Sequence, residues 1–166
     1  MAYLIGVPLL ALLAVLQSSV LAWTLLLDGR PDLILLAVVS WSLTGRSTEA
    51  MVWGLIGGVF LDLFTGLPFG LSAITLILIA YVISSLLDRF WEGHVLTPLG
   101  AILAASLVFH LSQLAAIFIT GRPIDFFLSL QRVVLPSTFL NLALTLPAKS
   151  LADGLNERLN PPEVTI

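Results

Sequence analysis

The stretch from Ala50 to Leu87 decides the fold, and it reads AMVWGLIGGVFLDLFTGLPFGLSAITLILIAYVISSLL. Asp62 is its one charged residue. A single helix of this length would measure about 57 Å, almost twice the roughly 30 Å hydrocarbon core of a bilayer. The strongest turn signal inside it is the run Gly66-Leu67-Pro68-Phe69-Gly70. The stretch therefore predicts two membrane helices, over 49–64 and 70–87, that are joined by this turn.

The rest of the chain has the same apolar character. Of its 166 residues, 58% are hydrophobic and 10% are charged, whereas roughly 25% are charged in a typical globular domain. A soluble fold of this size has too little interior to bury so much apolar surface. The net charge of -3 leaves no basic patch for nucleic acid, and the absence of cysteine excludes disulfides and thiolate metal sites. The composition excludes a cytosolic enzyme and predicts an all-α, polytopic membrane protein that carries no cofactor.

Clusters of charge divide the remaining sequence into four further helices, which gives a bundle of about six. The predicted spans are 3–27, 33–45, 95–119 and a sixth helix near the C-terminus. Helices 2 and 3 are short for full spans, so they either tilt little or form a hairpin that crosses only part of the bilayer. For helix 6 we favour a short interfacial helix, Asp125–Arg132, followed by a span at 133–151. The alternative is that Arg132 snorkels from the first turns of one longer helix.

The distribution of charge also predicts domains and orientation. We expect one transmembrane domain over residues 1–152 and a polar cytoplasmic tail over 153–166. Both termini fall on the same side whether or not helices 2 and 3 span fully. That side would carry four basic residues, against two or three on the other, and this bias favours cytoplasmic termini. The four are Arg46, Arg89, Lys149 and Arg158, and the others are Arg30, Arg122 and, in the interfacial version, Arg132. Four tryptophans lie near the predicted helix ends, where an indole ring suits the headgroup region. They are Trp23, Trp41, Trp53 and Trp91.

Asp62 is the outstanding functional candidate, because a carboxylate facing lipid costs roughly 3 kcal/mol. Gly54, Gly58 and Gly66 lie at four-residue intervals from it, and Gly57 widens this face. Small residues at such spacing allow a second helix to approach closely. One interpretation is a groove for a partner helix that ends in a carboxylate. The other is internal packing, with Asp62 capping a turn.

Polar residues in the later helices have two interpretations as well. Ser106, His110 and Gln113 share one face of helix 5, and Asn141 lies inside helix 6. They could form a relay or a small-molecule contact, or they could hydrogen-bond between helices. Gln17 in helix 1 has the same two interpretations, while Arg132 would pair with Asp125, contact lipid phosphate or act as a solvated anchor.

No catalytic motif is present, and neither histidine has an Asp or Glu companion at metal-ligand spacing. A lone membrane aspartate beside a lone membrane histidine is not an active site. We therefore expect no enzyme and no metal.

Three stretches resemble the MreD family of bacterial rod-shape-determining membrane proteins. They are Arg30-Pro31-Asp32-Leu33, the run Gly54–Gly70, and the series Pro136, Asn141 and Pro147 after Arg132. The resemblance implies a six-helix inner-membrane protein with cytoplasmic termini. It implies a bitopic partner, MreC, and an elongation complex with the actin-like MreB, a SEDS glycosyltransferase and a class B penicillin-binding protein. The family fold is also similar to the S-components of energy-coupling-factor vitamin transporters.

Two functional hypotheses follow from the residues and the resemblance. The first is a non-catalytic scaffold for cell-wall elongation that grips the helix of MreC among membrane lipids. Its candidate residues are Gly54, Gly57, Gly58, Asp62, Gly66, Pro68 and Gly70. The alternative is a module that binds a small molecule or a lipid-linked precursor. That module needs a cavity where Asp62, Ser106, His110, Gln113 and Asn141 converge.

Overall fold

A computed structural model of the protein describes residues 2–19, 29–90 and 96–161, which form six helices. These are α1 (Ala2–Ser19), α2 (Leu33–Ser42), α3 (Ser47–Phe64), α4 (Leu71–Phe90), α5 (Leu96–Ile119) and α6 (Phe126–Leu159). The predicted all-α bundle is confirmed. Three of the six helices, α3, α5 and α6, are long and apolar enough to cross a membrane.

Helix α2 forms the centre of the bundle. Eight of its ten residues are buried, as expected for a helix that is apolar on every side. Its ten residues span about 15 Å, half of the hydrocarbon thickness. Helix α3, with 18 residues, is long enough to cross. Of the two helices predicted to be short, α2 is too short to cross the bilayer and α3 is not. The N-terminal end of α2 lies inside the bundle.

Two of the four tryptophans lie in the core. Trp41 of α2 and Trp53 of α3 are 0% and 2% exposed, and their rings stack with centroids 4.3 Å apart. The expected headgroup contacts are therefore wrong for this pair, because both rings are enclosed by other residues of the bundle. Trp23 and Trp91 lie outside the described residues.

Helix α6 corrects the favoured reading of the sixth span. Its first turn, a π-helical turn at Leu130–Val134 and the segment Leu135–Leu159 are continuous, so no separate interfacial helix exists. Pro136 has no N–H to donate to the carbonyl of Arg132, and a π-helical turn absorbs this break in the hydrogen-bond ladder. Arg132 is exposed in this early part of the helix.

The two described ends of the chain lie at the same end of the bundle. Near the start of α1, Gly6 abuts the indole of Trp53 in the first half of α3. Near the end of α6, Asn156 Oδ1 accepts from Nε of Arg46 over 2.8 Å. Helix α6 thus continues beyond residue 152 as far as Leu159 and packs beside the α2–α3 turn.

Candidate functional site

The small-residue face of α3 packs against α4 of the same chain. A Cβ atom added to Gly58 would lie 2.2 Å from Cα of Ala73, and one added to Gly54 would lie 3.0 Å from the carbonyl of Leu76. Both neighbours are backbone atoms of α4, so only glycine allows this approach at Gly58. These two glycines have the geometry of the internal-packing alternative. A role for them in partner binding stays a prediction.

Asp62 is 5% exposed and caps the start of α4. Its carboxylate accepts from the main-chain N–H groups of Gly70 at 2.9 Å, Ser72 at 3.0 Å and Ala73 at 3.4 Å. The first N–H groups of a helix have no partner within the helix, and they carry its positive dipole end. Asp62 therefore neutralises the buried N-terminus of α4 and fixes the α3–α4 hairpin.

The other candidates on this hairpin have separate positions. A Cβ on Gly57 would meet Cγ2 of Ile34 in α2 at 2.6 Å, so this glycine admits α2 to the other side of α3. Gly70 has a φ of 96°, a left-handed conformation that turns its N–H toward Asp62. Gly66 has open space around it, and Pro68 is exposed in the same connection.

A second buried carboxylate, Asp32, lies where α2 begins. Its main-chain N–H donates to Oδ1 of Asn141 over 2.7 Å, and its Oδ2 accepts from Nδ2 of the same asparagine over 3.0 Å. Asn141 Nδ2 also donates to Oγ of Ser106 at 3.1 Å. Asn141 and Ser106 are 0% exposed and lie near the middle of α6 and α5, so Asp32 lies at mid-depth in the bundle.

Side chains of α6 accept hydrogen bonds from two backbone N–H groups of the non-helical chain that leads to α2. Gly29 lies against Pro136 so closely that an added Cβ would be 2.6 Å from backbone atoms there. The N–H of Arg30 donates to Oγ of Ser137 over 3.0 Å. Irregular backbone is tolerated at membrane depth only where protein supplies its hydrogen bonds. Side chains of α6 meet this requirement for the N–H groups of Arg30 and Asp32.

His110 of α5 completes the contacts of Asp32. Its Nε2 lies 3.2 Å from Oδ2 of Asp32, and its Nδ1 lies 2.7 Å from the carbonyl oxygen of Ser106. His110 therefore has a carboxylate companion in the fold, although none lies at metal-ligand spacing along the sequence. Spacing along the chain gave no indication of the pair, because its two members are far apart in the sequence and meet only through the fold.

Gln17 of α1 closes the cluster from the remaining side. Its Nε2 donates to Oδ1 of Asp32, and its Oε1 accepts from the N–H of Ile34, each over 3.3 Å. We use the name Asp32 cluster for Gln17, Asp32, Ser106, His110 and Asn141. It joins α1, α2, α5 and α6, and its members hydrogen-bond to one another.

The structure thus brings together only some of the predicted polar residues. Gln113 is half-buried on α5 and Arg132 is exposed, and neither belongs to the Asp32 cluster. Asp62 belongs to the α3–α4 hairpin. Asp32 lies between the first two predicted spans, and the sequence signal that points to its burial is Pro31-Asp32 directly before an unbroken apolar helix.

Two apolar grooves line the sides of the bundle. The first, of about 220 Å³, lies between α1 and α6 over α2, where Leu36, Trp41 and Ala148 contribute to its walls. The second, of about 270 Å³, lies between α4 and α5 and includes Thr75, Ala104 and Val108. No member of the Asp32 cluster lines either groove, although the binding-module alternative needs these side chains around a cavity. Within the described part of the chain, no group of three or more His, Asp or Glu side chains is placed to hold a metal ion.

The comparison with protein families gives one match. Residues 1–151 match the family model described as rod shape-determining protein MreD. The chain belongs to the MreD family. Neither a curated protein nor a solved structure matches it.

Each of the three stretches that resemble the MreD family contributes to the packing of the bundle. The first stretch, through Asp32, and the third, through Asn141, form the hydrogen bonds that seat α2 at mid-depth. The second stretch forms the α3–α4 hairpin through Gly58 and Asp62. MreD membership and three long apolar helices identify a rod-shape-determining membrane protein.

Proposed function

We propose that this MreD-family protein is a non-catalytic scaffold of the bacterial inner membrane that binds the single transmembrane helix of MreC. The observation that carries the proposal is the open apolar groove between α4 and α5. Through MreC the scaffold would join MreB, the SEDS glycosyltransferase and the class B penicillin-binding protein, and so guide lateral peptidoglycan synthesis.

The α5 wall of this groove consists of small side chains. Ala104, Ala105, Val108 and Ser112 line it, and Gly100 continues the row one turn earlier, with nothing within 4 Å of an added Cβ. Small residues at four-residue intervals let a second helix approach the backbone, where dispersion and weak hydrogen bonds drive association in lipid. This row is free, whereas the row on α3 is covered by α4.

The α4 wall of the groove carries larger side chains than the α5 wall, and they form a ridge opposite the row of small residues. Leu78 and Val82 line the groove and are 57% and 49% exposed. On the groove floor, Oγ1 of Thr75 donates to the carbonyl of Leu71 over 2.8 Å and Oγ of Ser112 donates to the carbonyl of Phe109 over 2.7 Å, so both hydroxyl hydrogens are satisfied without a partner. An apolar helix can therefore enter the groove without leaving a hydroxyl unpaired.

Pull-down of tagged MreC from co-expressing bacterial membranes tests the proposal. Ala104→Leu combined with Gly100→Leu fills the small-residue row, and we expect about tenfold less recovered MreC, which corresponds to roughly 1.4 kcal/mol. Ala143→Leu, at an exposed position of α6 outside both grooves, is the matched control and should leave recovery unchanged.

A parallel variant distinguishes the two grooves. Ala148→Leu narrows the groove between α1 and α6 and should also leave recovery unchanged. If Ala148→Leu removes MreC while the α5 double variant retains it, the proposed docking site is wrong. If neither variant nor their combination affects recovery in normally inserted protein, both grooves are excluded as the MreC site.

A further inference from the structure

We propose that Asp32 and His110 form a proton-binding site in the middle of the bundle, and that its proton holds α2 in place. This role is independent of the scaffold function, because neither residue lines the groove assigned to MreC. The geometry of the two ring nitrogens of His110 is the observation that carries the proposal.

Both ring nitrogens of His110 face oxygen atoms. The carbonyl of Ser106, 2.7 Å from Nδ1, can only accept, so Nδ1 carries a hydrogen. Nε2 faces a carboxylate oxygen of Asp32 at 3.2 Å. A proton must lie between these two atoms, either on Nε2 of an imidazolium or on Oδ2 of a neutral carboxylic acid. In both forms the pair is electrically neutral and holds one shared proton.

Loss of this proton removes the attraction between α2 and α5. The proton passes to water, the N–H or O–H bond that held it breaks, and the pair keeps a net charge of -1. The lone pair of Nε2 then faces a carboxylate, and a shift of the ring hydrogen from Nδ1 to Nε2 only moves the conflict to the Ser106 carbonyl. An unneutralised carboxylate inside the bundle is unfavourable, so the start of α2 is driven away from α5.

No other titratable group of the described residues contacts this pair. Helix α1 presents Gln17, and α6 presents Asn141, both neutral amides that donate to Asp32. Arg30, two residues before Asp32, is exposed. On α3, Glu49 faces Arg46 and Trp41, and Asp62 is bound to the start of α4. The side chains of the pair are 10% and 12% exposed, so the site is enclosed but not sealed.

Two spectroscopic measurements count the proton directly. In full-length protein in lipid nanodiscs at pH 7, with His94→Gln to leave one histidine, we expect ¹⁵N NMR to show both ring nitrogens of His110 protonated, or infrared difference spectra to show a protonated carboxyl that Asp32→Asn removes. Asp125→Asn, at an exposed carboxylate, should change neither signal. A neutral His110 ring beside an ionised Asp32 would overturn the proposal.

Hydrogen exchange tests the link to α2. As the pH rises, we expect Leu33–Ser42 to lose protection in the wild type while α3 and α4 stay protected. In Asp32→Asn a neutral amide replaces the carboxyl, so no charge can be left unneutralised at this position and protection of α2 should become independent of pH. If Asp32→Asn loses protection at the same pH as the wild type, the site does not hold α2.

Discussion

The N–H of Asp32 donates to Oδ1 of Asn141 over 2.7 Å, which ties the residue before α2 to the middle of α6. The side-chain amide of Asn141 returns a hydrogen bond to the carboxylate of Asp32 over 3.0 Å. One asparagine thus satisfies a backbone donor and a buried carboxyl group together. A helix that spans only half of the bilayer needs such a partner, because its free end would otherwise leave polar groups in an apolar medium.

Removal of this asparagine should destabilise the bundle. Asn141→Ala leaves the N–H of Asp32 without a partner and deprives its carboxylate of a donor, so we expect a loss of about 1–3 kcal/mol in unfolding free energy. Reversible unfolding in mixed micelles measures the change. Thr145→Val is the control, since the Thr145 hydroxyl only donates to the carbonyl of Asn141 in its own helix. Equal losses in the two variants would contradict the central role of Asn141.

The α3–α4 contact should depend on the absence of one methyl group. In Gly58→Ala the new Cβ would lie 2.2 Å from the backbone of Ala73, and α4 must move, so we expect about 1–3 kcal/mol of destabilisation. Gly57→Ala should have a smaller effect, because the clashing atom belongs to the side chain of Ile34. Gly154→Ala, at a helical position with open space, should be neutral or slightly stabilising. The same unfolding assay gives the order, and a neutral Gly58→Ala would show that α4 does not pack as described.

The helix cap formed by Asp62 should contribute more to the stability of the protein than the exposed cap formed by Asp125. Asp62→Ala leaves three N–H groups at the start of α4 without their acceptor, and we expect a loss of about 2–3 kcal/mol. Asp125→Ala removes a single bond to the N–H of Leu128 at an exposed position and should cost about 1 kcal/mol. Hydrogen exchange in the first turn of each helix measures both effects. A larger increase in exchange rate at α6 in Asp125→Ala than at α4 in Asp62→Ala would contradict the expected order.

Most of the fold could be predicted from apolar run lengths and turn residues. The boundaries 49–64, 70–87 and 95–119 lie within three residues of α3, α4 and α5. Gaps between charges measure spans well when each charge lies in a loop. Asp32 is an exception to this rule, because it lies between two predicted helices but is buried in the bundle. The rule also failed for α6, because Arg132 lies inside the helix and not in a loop. The π-helical turn keeps the helix continuous where Pro136 interrupts the backbone hydrogen bonds.

The sequence did not predict which residues of the candidate site contact each other. The four-residue spacing of Gly54 and Gly58 indicates a close helix contact but does not say which helix makes it. His110 and Asn141 were singled out as polar residues at membrane depth, yet their common partner Asp32 comes from another helix. Spacing along the chain fixes the face of a helix, while packing between helices fixes which faces meet.

Orientation in the membrane is a further prediction that rests on the basic residues. The α2–α3 turn and the end of α6 lie together through Arg46 and Asn156, and we expect this end to be cytoplasmic. The chain has no cysteine, so single cysteines at the exposed positions Thr48, Glu157 and Thr120 report topology without further changes. An impermeant maleimide should label Thr120→Cys in cells whose outer barrier, where one is present, is permeabilised. It should label the other two only after the inner membrane is opened. The reverse labelling pattern would show that the bundle has the opposite orientation in the membrane. Labelling of Thr48→Cys and Glu157→Cys from opposite sides would contradict the Arg46–Asn156 contact itself.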